Sequence, residues 1–312
     1  MLPLVVLFAQ ANIEQVRQQL DDAIRSSTGE AAAPAAAIHA NVACAVGFRR
    51  SQFGEDLALL PTLLAATRGQ PGSFVEIGAF DGITGSNTIV LERCFGWHGL
   101  LVEANPVSFA LLRKNARPLA HKVHSAVCAA ASASEPQFVE IAGRGVFSGM
   151  ANGSATVEAY LLRHSKRAAA HGGHDERAPP PTVRVPCTRL DSLMGGRVGL
   201  GMGGDSTVTF LSLDVEGAEE LVLSTVDPAR FRVVLVELDG MNRSKDAAVV
   251  SRLRRAGLRH AAELGQIHAN MVFVRPDVDV KQPLKIQGTK KQCTDLGRYS
   301  VGCGGTRCCW VK

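Results

Sequence analysis

The sequence lacks any uncharged apolar stretch of transmembrane length, so no segment of it is expected to span a bilayer. It also lacks a basic body. The chain of 312 residues carries +5 overall, but residues 281 to 312 hold seven Lys or Arg (Lys281, Lys285, Lys290, Lys291, Arg298, Arg307, Lys312) against Asp295, a local +6 that leaves −1 for residues 1 to 280. A nearly neutral body gives no ground for a nucleic-acid-binding core, and no nucleic-acid partner is expected. No pair of cysteines has C-x-x-C spacing, which disfavours a structural zinc site. An apolar content of 46% with 20% charged residues is ordinary for a globular protein and excludes disorder for the bulk of the chain.

What is present divides into three parts. Residues 1–37 form an N-terminal extension. Its opening MLPLVVLFAQA has an apolar run from Leu2 to Ala9 and an Ala9-Gln10-Ala11 ending, resembling the hydrophobic part of a secretory signal although no Lys or Arg precedes it. The rest of the extension reads as a linker or stalk. Residues 38–280 form the folded domain, interrupted at 142–181 by a Gly- and Ala-rich insertion whose length suits either a disordered segment or a functional one, a substrate lid being the functional version. Its His164, His171 and His174 lack partners for a metal site, and no metal is expected. Residues 281–312 are a basic tail with Cys293, Cys303, Cys308 and Cys309, which reads as disulfide-stapled if the chain is secreted and, as the lesser reading, as zinc-bound. Cys44, Cys94, Cys128 and Cys187 lie in apolar surroundings and read as buried free thiols. The compartment stays open between the secretory pathway and the cytoplasm.

The stretch Ser73 to Gly82, SFVEIGAFDG, organises the domain. Phe74, Val75 and Ile77 make a buried strand that breaks into a tight glycine loop, and Ser86 or Asn87 can cap the helix that follows. In an α/β sheet the crevice beyond such a strand end takes a ligand. A dinucleotide fingerprint would need glycine where Phe80 stands, leaving Glu76-x-Gly78-x-x-x-Gly82, the pattern of S-adenosylmethionine enzymes, with Glu76 placed to receive the methionine ammonium. A second strand, Gly99 to Asn105, ends at Glu103, 25 residues past Gly78, where a nucleotide-binding α/β unit keeps the acid for the ribose hydroxyls. Asn105 and Pro106 then open another helix.

Upstream, SQFGEDLALLPTLL begins the domain as a helix capped by Ser51. Gln52, Glu55 and Asp56 in its first turn serve either capping and solubility or closure of the cofactor pocket. Downstream, Lys122 to Cys128 reads as a third strand, and if the sheet is that of an S-adenosylmethionine enzyme its end would put Ser125 next to the adenine. Gln137 to Ile141 and Thr182 to Val185 are candidates for an antiparallel ribbon. The run Gly199 to Gly204 satisfies G-x-G-x-x-G literally, yet it precedes a strand and so cannot place a helix start on a phosphate. That strand, TVTFLSLD, ends in Asp214-Val215-Glu216, acids placed to act as general base, metal ligand or ammonium anchor. Phe231 to Leu238 is a further buried strand ending near Glu237, and residues 258 to 263 with 270 to 275 supply a closing antiparallel pair. Alternating strands and helices give a doubly wound, mostly parallel sheet.

The strings SQFGEDL (51–57), FVEIGAFDGITGSNT (74–88), GWHGLLVEANP (96–106), CTRLDSL (187–193) and FLSLDVEGAEELVL (210–223) resemble the FkbM-type methyltransferase family. The resemblance spans about residues 50 to 275. It implies the class I methyltransferase (Rossmann-like) fold, a seven-stranded sheet with its last strand antiparallel, S-adenosylmethionine as donor, and an association with O-methylation of an acceptor that sequence does not identify: sugar, lipid, small metabolite or protein. Carried over by position, the donor site draws on Glu76, Gly78, Asp81, Gly82, Asn87, Glu103 and Asn105, with Asp214 at its edge; Asp214 or Glu216 is the base. Two other classes stand beside this reading: a non-catalytic binding protein on the same fold, and an NAD-dependent oxidoreductase, which Phe80 disfavours.

Overall fold

The computed structural model describes residues 18, 41, 44–45, 47–129, 137–144, 147–150, 182–195, 207–238, 240, 242–265, 267–283, 299–303 and 306–310. The signal-like opening, most of the insertion with its histidines, the Gly199 to Gly204 run and Cys293 lie outside the described residues.

Strands and helices alternate as the pattern required. Helix α1 (Glu55–Ala66) leads into β1 (Ser73–Ile77), α2 (Ile89–Phe95), β2 (His98–Glu103), α3 (Pro106–Lys114) and β3 (Ala120–His124). There follow β4 (Ala126–Val127), β5 (Gln137–Arg144), β6 (Phe147–Met150), β7 (Thr182–Thr188) and α4 (Leu190–Gly195). The second half holds β8 (Val208–Leu213), α5 (Glu219–Ser224), β9 (Phe231–Glu237), α6 (Arg243–Arg255), β10 (Arg259–His260) and β11 (Asn270–Val274). A tail hairpin pairs β12 (Tyr299–Cys303) with β13 (Thr306–Trp310).

The main sheet runs β10-β11-β9-β8-β1-β2-β3. The pairs from β9 through β8, β1 and β2 to β3 are parallel, and β11 runs antiparallel to β9. This is the class I methyltransferase sheet. Because both faces are covered, the central strands are apolar throughout, and alternate side chains feed opposite cores. Phe74, Leu101, Phe210, Val233 and Leu235 join Leu57, Leu60 and Leu64 of α1 on one face. Val75, Ile77, Leu100, Leu211, Val234 and Val236 join Val222 of α5 and Leu253 of α6 on the other. Full burial of each such side chain stabilises the fold by about 1.5 to 3 kcal/mol, so the strand ends that carry the site stand on a rigid base.

The expected β5–β7 ribbon is present and larger than its sequence suggested, since β4 and β6 extend it to a four-stranded sheet, β4-β7-β5-β6. Three local expectations are corrected. Gly54 in a left-handed conformation, not Ser51, precedes α1. The third strand ends at His124, with the chain bending at Ser125 into β4. The four scattered cysteines are not free thiols: Cys44 is bonded to Cys94 and Cys128 to Cys187, with Cα separations of 5.7 and 5.8 Å. Those distances suit a disulfide. Partners 50 and 59 residues apart carry no local signal of their pairing.

Candidate active site

The carboxyl ends of β2, β1, β8 and β9 lie side by side and present Glu103, Gly78, Asp214 and Glu237 in that order. Parallel strands are about 4.8 Å apart, so these groups span a crevice of roughly 15 Å.

Gly78 has φ +84, and a Cβ there would run into the carbonyl oxygen of Asp214. Its glycine is therefore required by the neighbouring strand before any ligand is considered. Two bulkier residues share the left-handed region, Phe80 at φ +50 and Glu216 at φ +53, one in each loop that flanks the crevice. Such strain costs about 1 to 3 kcal/mol and persists where surrounding contacts impose it. For Phe80 the contact is visible: its N–H donates to Glu103 Oε2 at 2.7 Å.

Glu76 is 4% exposed, and both its oxygens are engaged within the protein. Oε1 accepts from the Asn87 N–H at 2.8 Å; Oε2 accepts from the Ser86 hydroxyl at 2.9 Å and the Thr88 hydroxyl at 2.6 Å. Behind it lies Arg117, fully buried, donating to Glu92, to the Gly82 carbonyl at 2.6 Å, to Ser86 Oγ at 3.2 Å and to Thr88 Oγ1 at 2.8 Å. Glu76, Glu92 and Arg117 thus knit the loop of residues 78–88 onto the sheet. Sequence reading passed over Arg117, Thr88 and Glu92; a lone Arg in a polar linker after a helix gives no sign that it will be swallowed whole.

Asp81 folds its own turn, accepting from the N–H groups of Ile83 and Thr84 and from the Thr84 hydroxyl. Asn87 also reaches β8, its Nδ2 donating to Ser212 Oγ at 3.0 Å. Gly82, at φ +75, faces Leu112 and Arg117. Asn105 caps α3 through Oδ1. Ser125 is buried and its hydroxyl donates to the Ala126 carbonyl at 2.7 Å.

Glu103 accepts from the Asn105 N–H at 2.6 Å as well as from Phe80. Burial pushes its carboxyl up to about 7, against the pull of the backbone N–H groups of Asn105, Phe80 and Ala104. A carboxylate offers about four acceptor positions, so Glu103 keeps at least one for a ribose hydroxyl.

The N-terminal rim is the SQFGED stretch. Asp56 accepts from the N–H groups of Arg50 and Ser51 and from the Ser51 hydroxyl, Ser51 bridges to Gly85, and the Gly85 N–H donates to the Arg50 carbonyl. Glu55, 3% exposed, accepts from the Phe53 N–H at 2.8 Å and from Asn270 Nδ2 at 3.0 Å, and the Phe53 ring stacks on His268 with centroids 3.5 Å apart. Both acids are buried: Asp56 folds the rim onto the start of α1, and Glu55 ties it to Asn270 of β11. They are not there for solubility.

Asp214 and Glu237 occupy the other end of the crevice. Asp214 is exposed at the crevice, so an acceptor can reach its carboxyl. Burial and then the acids Glu219 and Glu76 raise its carboxyl above the usual range, opposed by a hydrogen bond from Glu237 and by Lys245. Glu237 is raised further, by burial and then by Asp214 and Glu216. Glu219 is held by Lys245 Nζ at 2.5 Å and accepts from the Gly217 N–H. Among the described residues no group of three or more His, Cys, Asp or Glu could hold a metal ion, and no helix is long and apolar enough to cross a membrane.

A mostly parallel seven-stranded sheet with an acid after β2 and a glycine loop after β1 defines the class I methyltransferase architecture. A family model described as the methyltransferase FkbM domain matches residues 76–260, more than half of the chain, and the chain belongs to that S-adenosylmethionine-dependent methyltransferase family. No curated protein matches it. Among solved structures, the methyltransferase FkbM from Methylobacillus flagellatus KT is similar at 11% identity and a TM-score of 0.37, over 85% of this chain and 58% of that one. An O-methyltransferase from Bacillus cereus in complex with SAH is similar at 11% identity and 0.30, over 83% and 100%. The hMettl16 catalytic domain in complex with a MAT2A 3'UTR hairpin is similar at 13% and 0.32, over 79% and 83%. At these identities and scores the likenesses carry no argument about chemistry or about the acceptor.

Proposed function

We propose that the chain transfers a methyl group from S-adenosylmethionine to an oxygen of a hydroxyl or carboxyl acceptor. The observation that carries this is the alignment of Glu103, Gly78 and Asp214 on three adjacent strand ends, an acid for the ribose on one side of the glycine loop and a reachable carboxylate on the other. When bound, the donor supplies an electrophilic methyl on a sulfonium sulfur. Glu103 accepts from the ribose hydroxyls, and the loop that Glu76 and Arg117 hold rigid lines the donor's path. Asp214 takes the acceptor proton. Held alignment accounts for up to about 7 to 11 kcal/mol of such a barrier, and a positioned base adds about 10² to 10⁴-fold.

The test is incubation with methyl-labelled S-adenosylmethionine and panels of alcohols, carboxylates, glycans, lipids and RNA. Alkali-stable label on a hydroxyl acceptor, or alkali-labile label on a carboxyl, supports the reading. Donor binding without transfer to any of them would favour a binding protein, and transfer to a base nitrogen would move the acceptor to nucleic acid.

Residence in an oxidising compartment is part of the same proposal, supported by the Cys44–Cys94 and Cys128–Cys187 bridges. Non-reducing peptide mapping of protein from its native host is expected to recover both linked pairs. Four alkylatable thiols at these positions would place it in a reducing one.

A further inference from the structure

The paired ends of β8 and β9 bring together two acids that the chain keeps in separate βα units. Their register runs through Leu213 and Val236, so the next residues, Asp214 and Glu237, stand side by side. In-register neighbours on parallel strands point to the same face. The two carboxyls therefore face each other across the strand pair, each within reach of the other's ionisation. A carboxylate only accepts, so a bond between two carboxyls requires a proton on one of them; two ionised groups at that distance would repel.

We propose that Glu237 is the protonated member of this pair, a positioning residue whose O–H donates to Asp214 and holds that carboxylate ionised and aimed at the acceptor. The inference rests on the reading of Asp214 as the base. The surroundings assign the proton. Glu237 faces Asp214 on β8, Glu216 in the loop after it and Glu219 on α5, every one an acid. On its other side it is in register with Asn270, which is uncharged and whose amide donates to Glu55 on α1. His268, two residues before Asn270, lies stacked on Phe53. Asp214 faces Glu76 and Glu219 but also feels Lys245 of α6, whose ammonium pairs with Glu219 and Asp246. The cation among these groups favours charge on Asp214, whereas the described groups that act on Glu237 all disfavour charge there. Glu237 is also the less exposed of the two.

The pair then works as follows. With a hydroxyl acceptor and the donor bound, the O–H would break and its proton pass to Asp214 Oδ as the oxygen forms its bond to the methyl carbon, the methyl–sulfur electron pair staying on sulfur; the proton then leaves to water as product departs. The Glu237 proton stays where it is, so the pair begins and ends each cycle with one proton. Reversing the roles would put a neutral acid at the reachable position, which could not take a proton.

Infrared titration of the ligand-free protein tests this without an acceptor. Wild type is expected to keep the carbonyl band of one protonated carboxyl to about pH 9, above the range in which Glu103 and Glu55 ionise. Glu237→Gln removes that band. Asp214→Asn, which deletes the anion that Glu237 faces, moves its loss to lower pH by about one unit or more. Calorimetry with S-adenosylhomocysteine confirms an intact donor site in both variants, with affinity within about threefold of wild type. A band that survives Glu237→Gln, or that titrates unchanged in Asp214→Asn, overturns the shared proton. In the labelled-methyl assay, Glu237→Ala is expected to lose about tenfold or more in turnover while Glu237→Gln, whose amide still donates, recovers most of it. Equal losses in the two variants would overturn the positioning role. If the band behaves as stated but Asp214→Asn transfers methyl normally, the base reading fails and the proton pair stands.

Discussion

The two ends of the crevice treat their acids in opposite ways. On the donor side, around β1 and β2, carboxylates meet donors: Glu76 has three, Glu92 has Arg117 and the Leu119 N–H, and Asp81 has its own turn. On the acceptor side, around β8 and β9, Asp214, Glu216, Glu219 and Glu237 crowd together, and the cation that enters the group is Lys245, paired with Glu219. The first arrangement stores order and the second stores a proton. A carboxylate held by several donors is architecture, whereas one raised by burial and neighbouring acids can change protonation during a reaction.

Breaking the donor side should have the largest effect. Arg117→Met leaves Glu76 and Glu92 buried without their guanidinium, and is expected to cost about 3 to 5 kcal/mol in urea unfolding. A loss below about 1 kcal/mol would mean that the network does not hold the loop. The acceptor side should respond in the reverse sense. Asp214→Asn is expected to lower methyl transfer by about 100-fold or more. It should not lower the melting temperature at pH 8. The sign follows from its raised carboxyl: the stability that protonation supports is present below the unfolded value and lost as pH rises through the folded one. A destabilised Asp214→Asn protein would erase the contrast between the two ends.

Glu103 sits between these extremes. Glu103→Gln should weaken S-adenosylmethionine binding by about tenfold at pH 8, since one charge-assisted hydrogen bond is worth about 1.5 to 3 kcal/mol. Because the wild-type carboxyl lies near 7, binding of S-adenosylhomocysteine should weaken from pH 8 to 6 and take place with proton release. The variant should show neither effect in calorimetry; a pH slope that survives would place the ribose elsewhere. The smallest change is expected at the rim. Glu55→Gln loses one of two hydrogen bonds, costing about 1 kcal/mol at pH 6. At pH 8 the cost should shrink, because burial has pushed Glu55 up to about 7 and its charge opposes folding above that. A cost that grows with pH would show that the Glu55 charge helps to hold Phe53 and Asn270.

The sequence by itself determined the sheet and the position of its crevice. Apolar runs that stop at SFVEIG, GLLVEAN and TFLSLD specify strands buried on both faces, and the residue ending each run must then lie at a carboxyl end. This is why Glu103, Gly78 and Asp214 were legible, and why Asn105 with Pro106 could be read as a helix start. Only the tertiary structure decided what each acid does there. Glu76 and Glu103 look alike in sequence, each an acid in or at the end of an apolar strand, but the side chains of Ser86, Thr88 and Arg117 gather on one while the other is met by backbone N–H groups. Glu237 became part of the site through the register of β8 against β9, and the cysteines found partners across 50 and 59 residues. Hydrophobic pattern is local and survives in one dimension. Protonation, pairing and burial of a polar group depend on which distant residues arrive beside it, and that is set by how the strands are ordered and aligned.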